Sequence, residues 1–144
     1  MASPSLPPAA GFQPWSETDT RVGIEAFDAE HLALARLIEH LHTAALVKRD
    51  RAQAGQIFTL IVQKARAHFV HEEDLLYQHG YRELEQHTEQ HSLLLKEVQE
   101  VQRAYAAGNL SALLLLRFLQ NWLVQHIKTS DQQYRHFLRD KGII

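Results

Sequence analysis

Along most of this chain apolar residues return every three or four positions and nowhere alternate with polar ones, a pattern that buries side chains through helices and provides no half-buried strands. Four long helices are expected. The first runs from about Asp28 to Val47, with Leu32, Leu34, Leu37, Ile38 and Leu41 on one side and Asp28 as N-cap, and the charged run Lys48-Arg49-Asp50-Arg51 ends it. The second, from about Arg51 to His79, carries Ile57, Leu60, Ile61, Ala65, Phe69 and Leu76 on its inner face, with Gly80 as C-terminal cap. The third, from about Arg82 to Ala107, presents Leu84, His87, His91, Leu94, Leu95, Val98, Val101 and Tyr105 before Gly108 stops it. The fourth starts at Ser111 as N-cap and passes through Leu115, Leu119, Trp122 and Leu123 to about Thr129. A short helix from Asp131 to Arg139 follows.

Connections this short force antiparallel neighbours. The expected fold is therefore all-α: an antiparallel up-down-up-down four-helix bundle over residues 26–144, ending in a short C-terminal helix. Residues 1–25 read as an extended N-terminal arm, Pro-rich at first and then carrying Phe12, Trp15, Val22 and Ile24 as apolar anchors laid against the body.

Composition narrows the functions such a bundle can serve. A chain of 144 residues, 45% of them hydrophobic, can bury one core without disulfides or a partner. The absence of Cys excludes thiolate zinc sites, iron–sulfur clusters and thiol catalysis. A net charge of -2 with scattered Lys and Arg lacks the basic footprint of a nucleic-acid binder. Met1 to Pro14 has neither a basic start nor a long apolar run, and the longest greasy stretch, Ala112 to Leu116, falls far short of the roughly 20 residues that cross a bilayer. A cytoplasmic protein with no membrane insertion is expected.

Histidine is the unusual component, at 10 of 144 residues. Residues four apart share a helix face, and two pairs use that spacing within the inward stripes: His68 with Glu72, and His87 with His91. Buried imidazoles and a carboxylate need partners, and a metal is one way to supply them. The fourth helix adds His126, with Asp131 five residues on. In a regular helix these two would point roughly 140° apart, so the helix either bulges there, as a π-type turn, or breaks at Lys128-Thr129-Ser130. His31, in the first turn of the first helix, completes one donor group per helix. Five imidazoles and two carboxylates exceed what one structural zinc takes and suit two ions, with Glu72 and Asp131 as bridges. Sulfur-free, nitrogen-rich ligation fits iron, zinc or copper alike.

The ordered set Trp15, Val22-Gly23-Ile24, Asp28-x-x-His31, His68-Phe69-x-x-Glu72-Glu73, Gly80-Tyr81, His87-x-x-x-His91 and Trp122-Leu123-x-x-His126-Ile127-x-x-x-Asp131-x-x-Tyr134 strongly resembles the hemerythrin family, in its bacterial single-domain form. The resemblance implies two iron ions joined by an oxo or hydroxo bridge and by Glu72 and Asp131. His87, His91 and His126 would be terminal ligands of one iron. His31 and His68 would hold the other, which keeps a position open for dioxygen. The implied activity is reversible dioxygen binding, as carrier, store or delivery protein, by a monomer whose client is an oxygen-consuming enzyme. Leu76 stands where many relatives have Met, and Arg82 where Pro often follows Gly-Tyr; neither is a ligand position.

Competing readings follow from the same residues. A di-iron enzyme acting on peroxide or nitric oxide would need an acid facing the open iron, and beside His31 and His68 the sequence offers only the bridging carboxylate. A sensor would need a separate output partner, and iron storage a cage or many more carboxylates. His40, His42, His71, His79 and His136 fall off the inward stripes and read as solvated surface, with His71 the one that could stand behind a ligand. Trp122 and Tyr134 read as core. Glu30 and Glu73 read as solvated neighbours of ligands.

Overall fold

The structure, a computed structural model, describes residues 21–127 and 131–144. Phe12 and Trp15, expected in the arm, and the segment 128–130 lie outside the described residues, as does the expected end of the fourth helix at Thr129. Helix α1 (Glu25–His42) continues into a π-helical turn at Thr43–Val47. It is followed by α2 (Arg51–Gln78), α3 (Leu84–Ala106), α4 (Ala112–His126) and α5 (Gln132–Asp140). No strand occurs among the described residues. Helix α1 packs on α2, α2 on α3 and α3 on α4, and α4 closes back on α1. Each helix thus neighbours the next, the ring of an up-down-up-down bundle.

Local chemistry sets the helix ends. Gly80 takes a positive φ of 69° after α2, so that Tyr81 N–H can donate to the Leu76 carbonyl at 3.0 Å and close the last turn. Gly108 does the same after α3, with Asn109 N–H on Ala104 O at 2.9 Å. Ser111 caps α4 as expected, its hydroxyl accepting from Leu114 N–H at 3.2 Å. The expected cap of the first helix is different. Helix α1 begins at Glu25 after Ile24, which makes no side-chain cap, and Asp28 sits inside the first turn. Its carboxylate reaches back to the backbone N–H groups of Val22 at 2.7 Å and Gly23 at 3.3 Å, satisfying donors of the incoming chain rather than of the helix. Asp50, in the run read only as a helix stop, caps α2 through Gln53 N–H at 3.0 Å.

The buried stripes match expectation with one slip of register on α2. Phe58 is buried, whereas Leu60 is exposed and Ile57 only partly covered. The large apolar cluster joins Leu34, Ile38, Phe58, Ile61, Val98, Leu115, Leu119 and Leu123 along the bundle axis. A smaller one, Val22, Phe27, Leu76, Tyr81, Tyr134 and Leu138, gathers where α5 meets the starts of α1 and α3. Between these two clusters lies a layer of buried polar side chains.

Candidate metal centre

All seven candidate side chains are buried: His31 in α1, His68 and Glu72 in α2, His87 and His91 in α3, His126 at the end of α4 and Asp131 just before α5. The structure brings them together as two overlapping groups. Glu72, His87, His91, His126 and Asp131 form one; His31, His68, Glu72 and Asp131 form the other. Within each group the donor atoms all lie within 4.8 Å of one another, and the two carboxylates belong to both.

The angular problem between His126 and Asp131 is resolved. His126 Nε2 lies 3.0 Å from Asp131 Oδ1. Ile127 and Asp131, on either side of the segment outside the described residues, are each π-helical.

Donors face one another across short gaps. His31 Nε2 is 2.8 Å from His68 Nε2, and His91 Nε2 is 3.1 Å from His126 Nε2. His87 Nε2 stands 3.4 Å from both Glu72 Oε2 and Asp131 Oδ1, and His31 Nε2 stands 3.5 Å from Asp131 Oδ2. His68 Nε2 approaches Glu72 Oε1 at 2.6 Å, yet neither Glu72 oxygen is directed as a hydrogen-bond acceptor. Both Asp131 oxygens and His87 Nε2 are likewise buried without a hydrogen-bond partner. Polar atoms left like this in a dry interior each cost on the order of 1–3 kcal/mol.

Around an ion bonded to nitrogen at about 2.1 Å, adjacent donors sit about 3 Å apart and opposite ones about 4 Å apart. The gaps of 2.8–3.5 Å match that spacing, and only the 2.6 Å between His68 and Glu72 is tighter. The donor set therefore fits cations, and its two groups fit a pair of them sharing Glu72 and Asp131.

Electrostatics within the cluster is strongly uneven. Burial pushes His68 down, but the carboxylates of Glu72, Glu30 and Asp131 outweigh it and hold the ring at about 10. Burial also works against an ionised Glu72, and His68 beside it overrides that, keeping the carboxyl well below its usual range. His91 is driven the other way, to about 2, by burial and by the neighbouring rings of His87 and His126, which outweigh Glu72. His126 is raised because Asp131 offsets its burial. Tyr134 is pushed well up by burial and by Glu72 and Asp131.

The wall is aromatic and apolar. Phe69 stacks on His91 with ring centres 4.0 Å apart and planes 9° from parallel, and Phe27 meets His68 edge-on at 5.6 Å. Tyr134 meets His87 edge-on at 5.5 Å, which agrees with its reading as core. Trp122, also core, donates its indole N–H to Leu94 O at 3.0 Å.

Two residues read as solvated have other work. Glu30 accepts from His68 Nδ1 through one oxygen and from His71 Nδ1 at 2.7 Å through the other. Glu73 accepts from His91 Nδ1 at 3.0 Å. Both glutamates are more than a quarter exposed, so an amphipathic stripe places them outside. The only signal in the sequence was adjacency, Glu30 before His31 and Glu73 after Glu72, and it does not say which imidazole each would meet across the bundle.

A helical bundle that carries histidines and carboxylates inward from its facing helices, arranged to hold cations, defines the class of protein. A family model for the hemerythrin HHE cation binding domain matches residues 22–137, and the chain belongs to the hemerythrin family. It is 31% identical over 120 residues to a bacteriohemerythrin of Stenotrophomonas maltophilia, a match spanning 83% of this chain and 77% of that one. A myohemerythrin of Theromyzon tessulatum is 26% identical over 121 residues, 84% of this chain and 89% of its own. Among solved structures, a wild-type hemerythrin shares the fold with a TM-score of 0.75 at 23% identity, over 86% of this chain and 95% of that one. No helix among the described residues is long and apolar enough to cross a membrane.

Proposed function

We propose that this chain binds dioxygen reversibly at a di-iron centre held by His31, His68, Glu72, His87, His91, His126 and Asp131. The observation that carries the reading is the inequality of the two donor groups. One offers three imidazoles with Glu72 and Asp131; the other offers two imidazoles with the same carboxylates. The poorer group, His31 with His68, would leave its ion a position for an incoming ligand. Two irons bound there would supply the two electrons that dioxygen takes up on binding and returns on release.

The protein's own part is to orient and to exclude water. Glu72 and Asp131 would hold both ions, and Phe27 and Phe69 surround the imidazoles with apolar rings that would keep water from the site. The carboxylates that touch ligands from behind, Glu30 and Glu73, meet Nδ1 rather than the inward Nε2. That leaves them badly placed to hand protons to an inward-bound ligand, which favours binding over turnover.

The test is metal analysis and an oxygenation spectrum on one sample. Two irons per chain and a colour that appears in air, fades under vacuum and returns are expected. A colour that never reverses would move the reading to an enzyme acting on peroxide or nitric oxide, and a protein that takes up no iron would end it. The expected monomer and cytoplasmic site of action belong to the same proposal, with sedimentation and fractionation as their checks.

A further inference from the structure

Outside the seven donors, the polar group most firmly built into the wall of the centre is Glu30. One of its oxygens accepts from His68 Nδ1 and the other from His71 Nδ1, so the carboxylate is held from both ends. His68 and His71 lie three apart on α2, the spacing that turns both toward one neighbour on α1. The three residues make a line from core to surface, their side chains 2%, 29% and 58% exposed from His68 through Glu30 to His71. Apolar packing does not require this line: a partly exposed glutamate on a helix can extend into water at little cost.

We propose, resting on the di-metal reading above, that Glu30 is a positioning residue for the His31–His68 side of the centre, and that His71 is the brace that keeps Glu30 there. A carboxylate only accepts, so His68 must donate from Nδ1, which leaves Nε2 as the atom offered inward. Holding the outer N–H of a ligating imidazole in this way fixes its tautomer and ring orientation and strengthens it as a ligand. This side has the greater need of such a hold. It has two imidazoles, and the other one, His31, has a buried Nδ1 with no hydrogen-bond partner among the described residues, so of these two only His68 is oriented by a described carboxylate. On the opposite side Glu73 holds His91 by a single contact of 3.0 Å, while His87 and His126 share the load.

The test uses zinc as a diamagnetic probe, with the stepwise affinities of the metal-free chain measured by competition with a coloured chelator and the ring nitrogens followed by 15N NMR. The wild-type chain is expected to bind two zinc ions. Glu30→Ala should weaken one step by about 10–100-fold and spare the other, and Glu73→Ala should weaken the step that Glu30→Ala spares. Glu30→Gln, whose amide oxygen still accepts from Nδ1, should keep most of the affinity, which separates positioning from charge. His71→Ala should weaken the same step as Glu30→Ala by less, and the double variant should be no weaker than Glu30→Ala alone, because His71 acts only through Glu30. The slowly exchanging Nδ1–H signal of His68 should disappear in Glu30→Ala. Wild-type affinity at both steps in Glu30→Ala, or losses from Glu30→Ala and His71→Ala that simply add, would overturn the proposal. If the wild-type chain bound no second ion, the di-metal reading would fail on its own. The His68 Nδ1–H signal of the metal-free protein would then decide the clamp, its presence upholding it and its absence removing it.

Discussion

The two halves of the bundle are finished in opposite ways. In the half around Phe58, Leu115 and Leu119 the core is apolar, and Arg51 and Tyr105 at its margin satisfy one another. The Arg51 guanidinium lies 3.9 Å over the Tyr105 ring and donates to the Tyr105 and Leu110 carbonyls, while the Tyr105 hydroxyl donates to Arg51 O at 3.2 Å. In the half around Glu72 and Asp131, by contrast, carboxylate oxygens and imidazole nitrogens are buried without hydrogen-bond partners among the described residues. One half is complete as protein. The other is complete only with something between its donors, so stability of the fold and competence of the site are separable properties of a single domain.

The sharpest way to break that contrast is to delete a shared donor. Asp131→Ala removes the carboxylate common to both groups, and loss of metal binding is expected at both positions. Free metal at about a thousandfold above its dissociation constant stabilises a one-site protein by about 4 kcal/mol, and the variant should show none of that gain in chemical denaturation. Its metal-free form should stay folded and differ from the metal-free wild type by about 1–3 kcal/mol, because the variant loses the attraction of Asp131 for His126, 3.0 Å away, together with the cost of burying that carboxylate. Fully retained metal binding would remove Asp131 from the ligand set.

The converse change is Phe58→Ala, in the apolar half. A fully buried ring replaced by methyl in a packed core costs about 3–5 kcal/mol, and the urea midpoint should fall accordingly. Metal stoichiometry should stay that of the wild type under conditions where the variant is folded. If metal uptake fell in step with stability, the two halves would not be separable and the contrast would be wrong.

The same division marks what could be read without coordinates. Helical periodicity announces the bundle because every buried face repeats the signal many times, and helix ends are legible where a single residue does a local job, as Gly80, Gly108 and Ser111 do. Four of the seven inward donors are legible for a related reason: His68 with Glu72 and His87 with His91 share stripes with apolar residues at spacings of four, whereas His31, His126 and Asp131 are joined to them by no such spacing. Phe58 and Leu60 were misplaced because two residues span more than half a turn, and a stripe drawn through either looks continuous until α1 and α4 fix which side is inside. Glu30 and Glu73 were invisible as partners because their contacts join residues 38 and 18 positions apart, a relation that exists only after the helices are docked.

The smallest expected effect tests whether a local signal belongs to the apolar half alone. Asp50 accepts from Gln53 N–H at 3.0 Å and starts α2 at the end remote in sequence from His68 and Glu72. Asp50→Ala removes a cap that typically contributes about 1 kcal/mol, and a shift of that size in the denaturation midpoint is expected. Because α2 runs on for 28 residues and its ligands lie in its second half, fraying of the first turn should not reach them. Metal affinity should therefore be unchanged, measured on the same samples. A weakened site in Asp50→Ala would mean that α2 moves as one rigid piece between the halves, and the separation drawn above would have to be redrawn along the helix rather than across it.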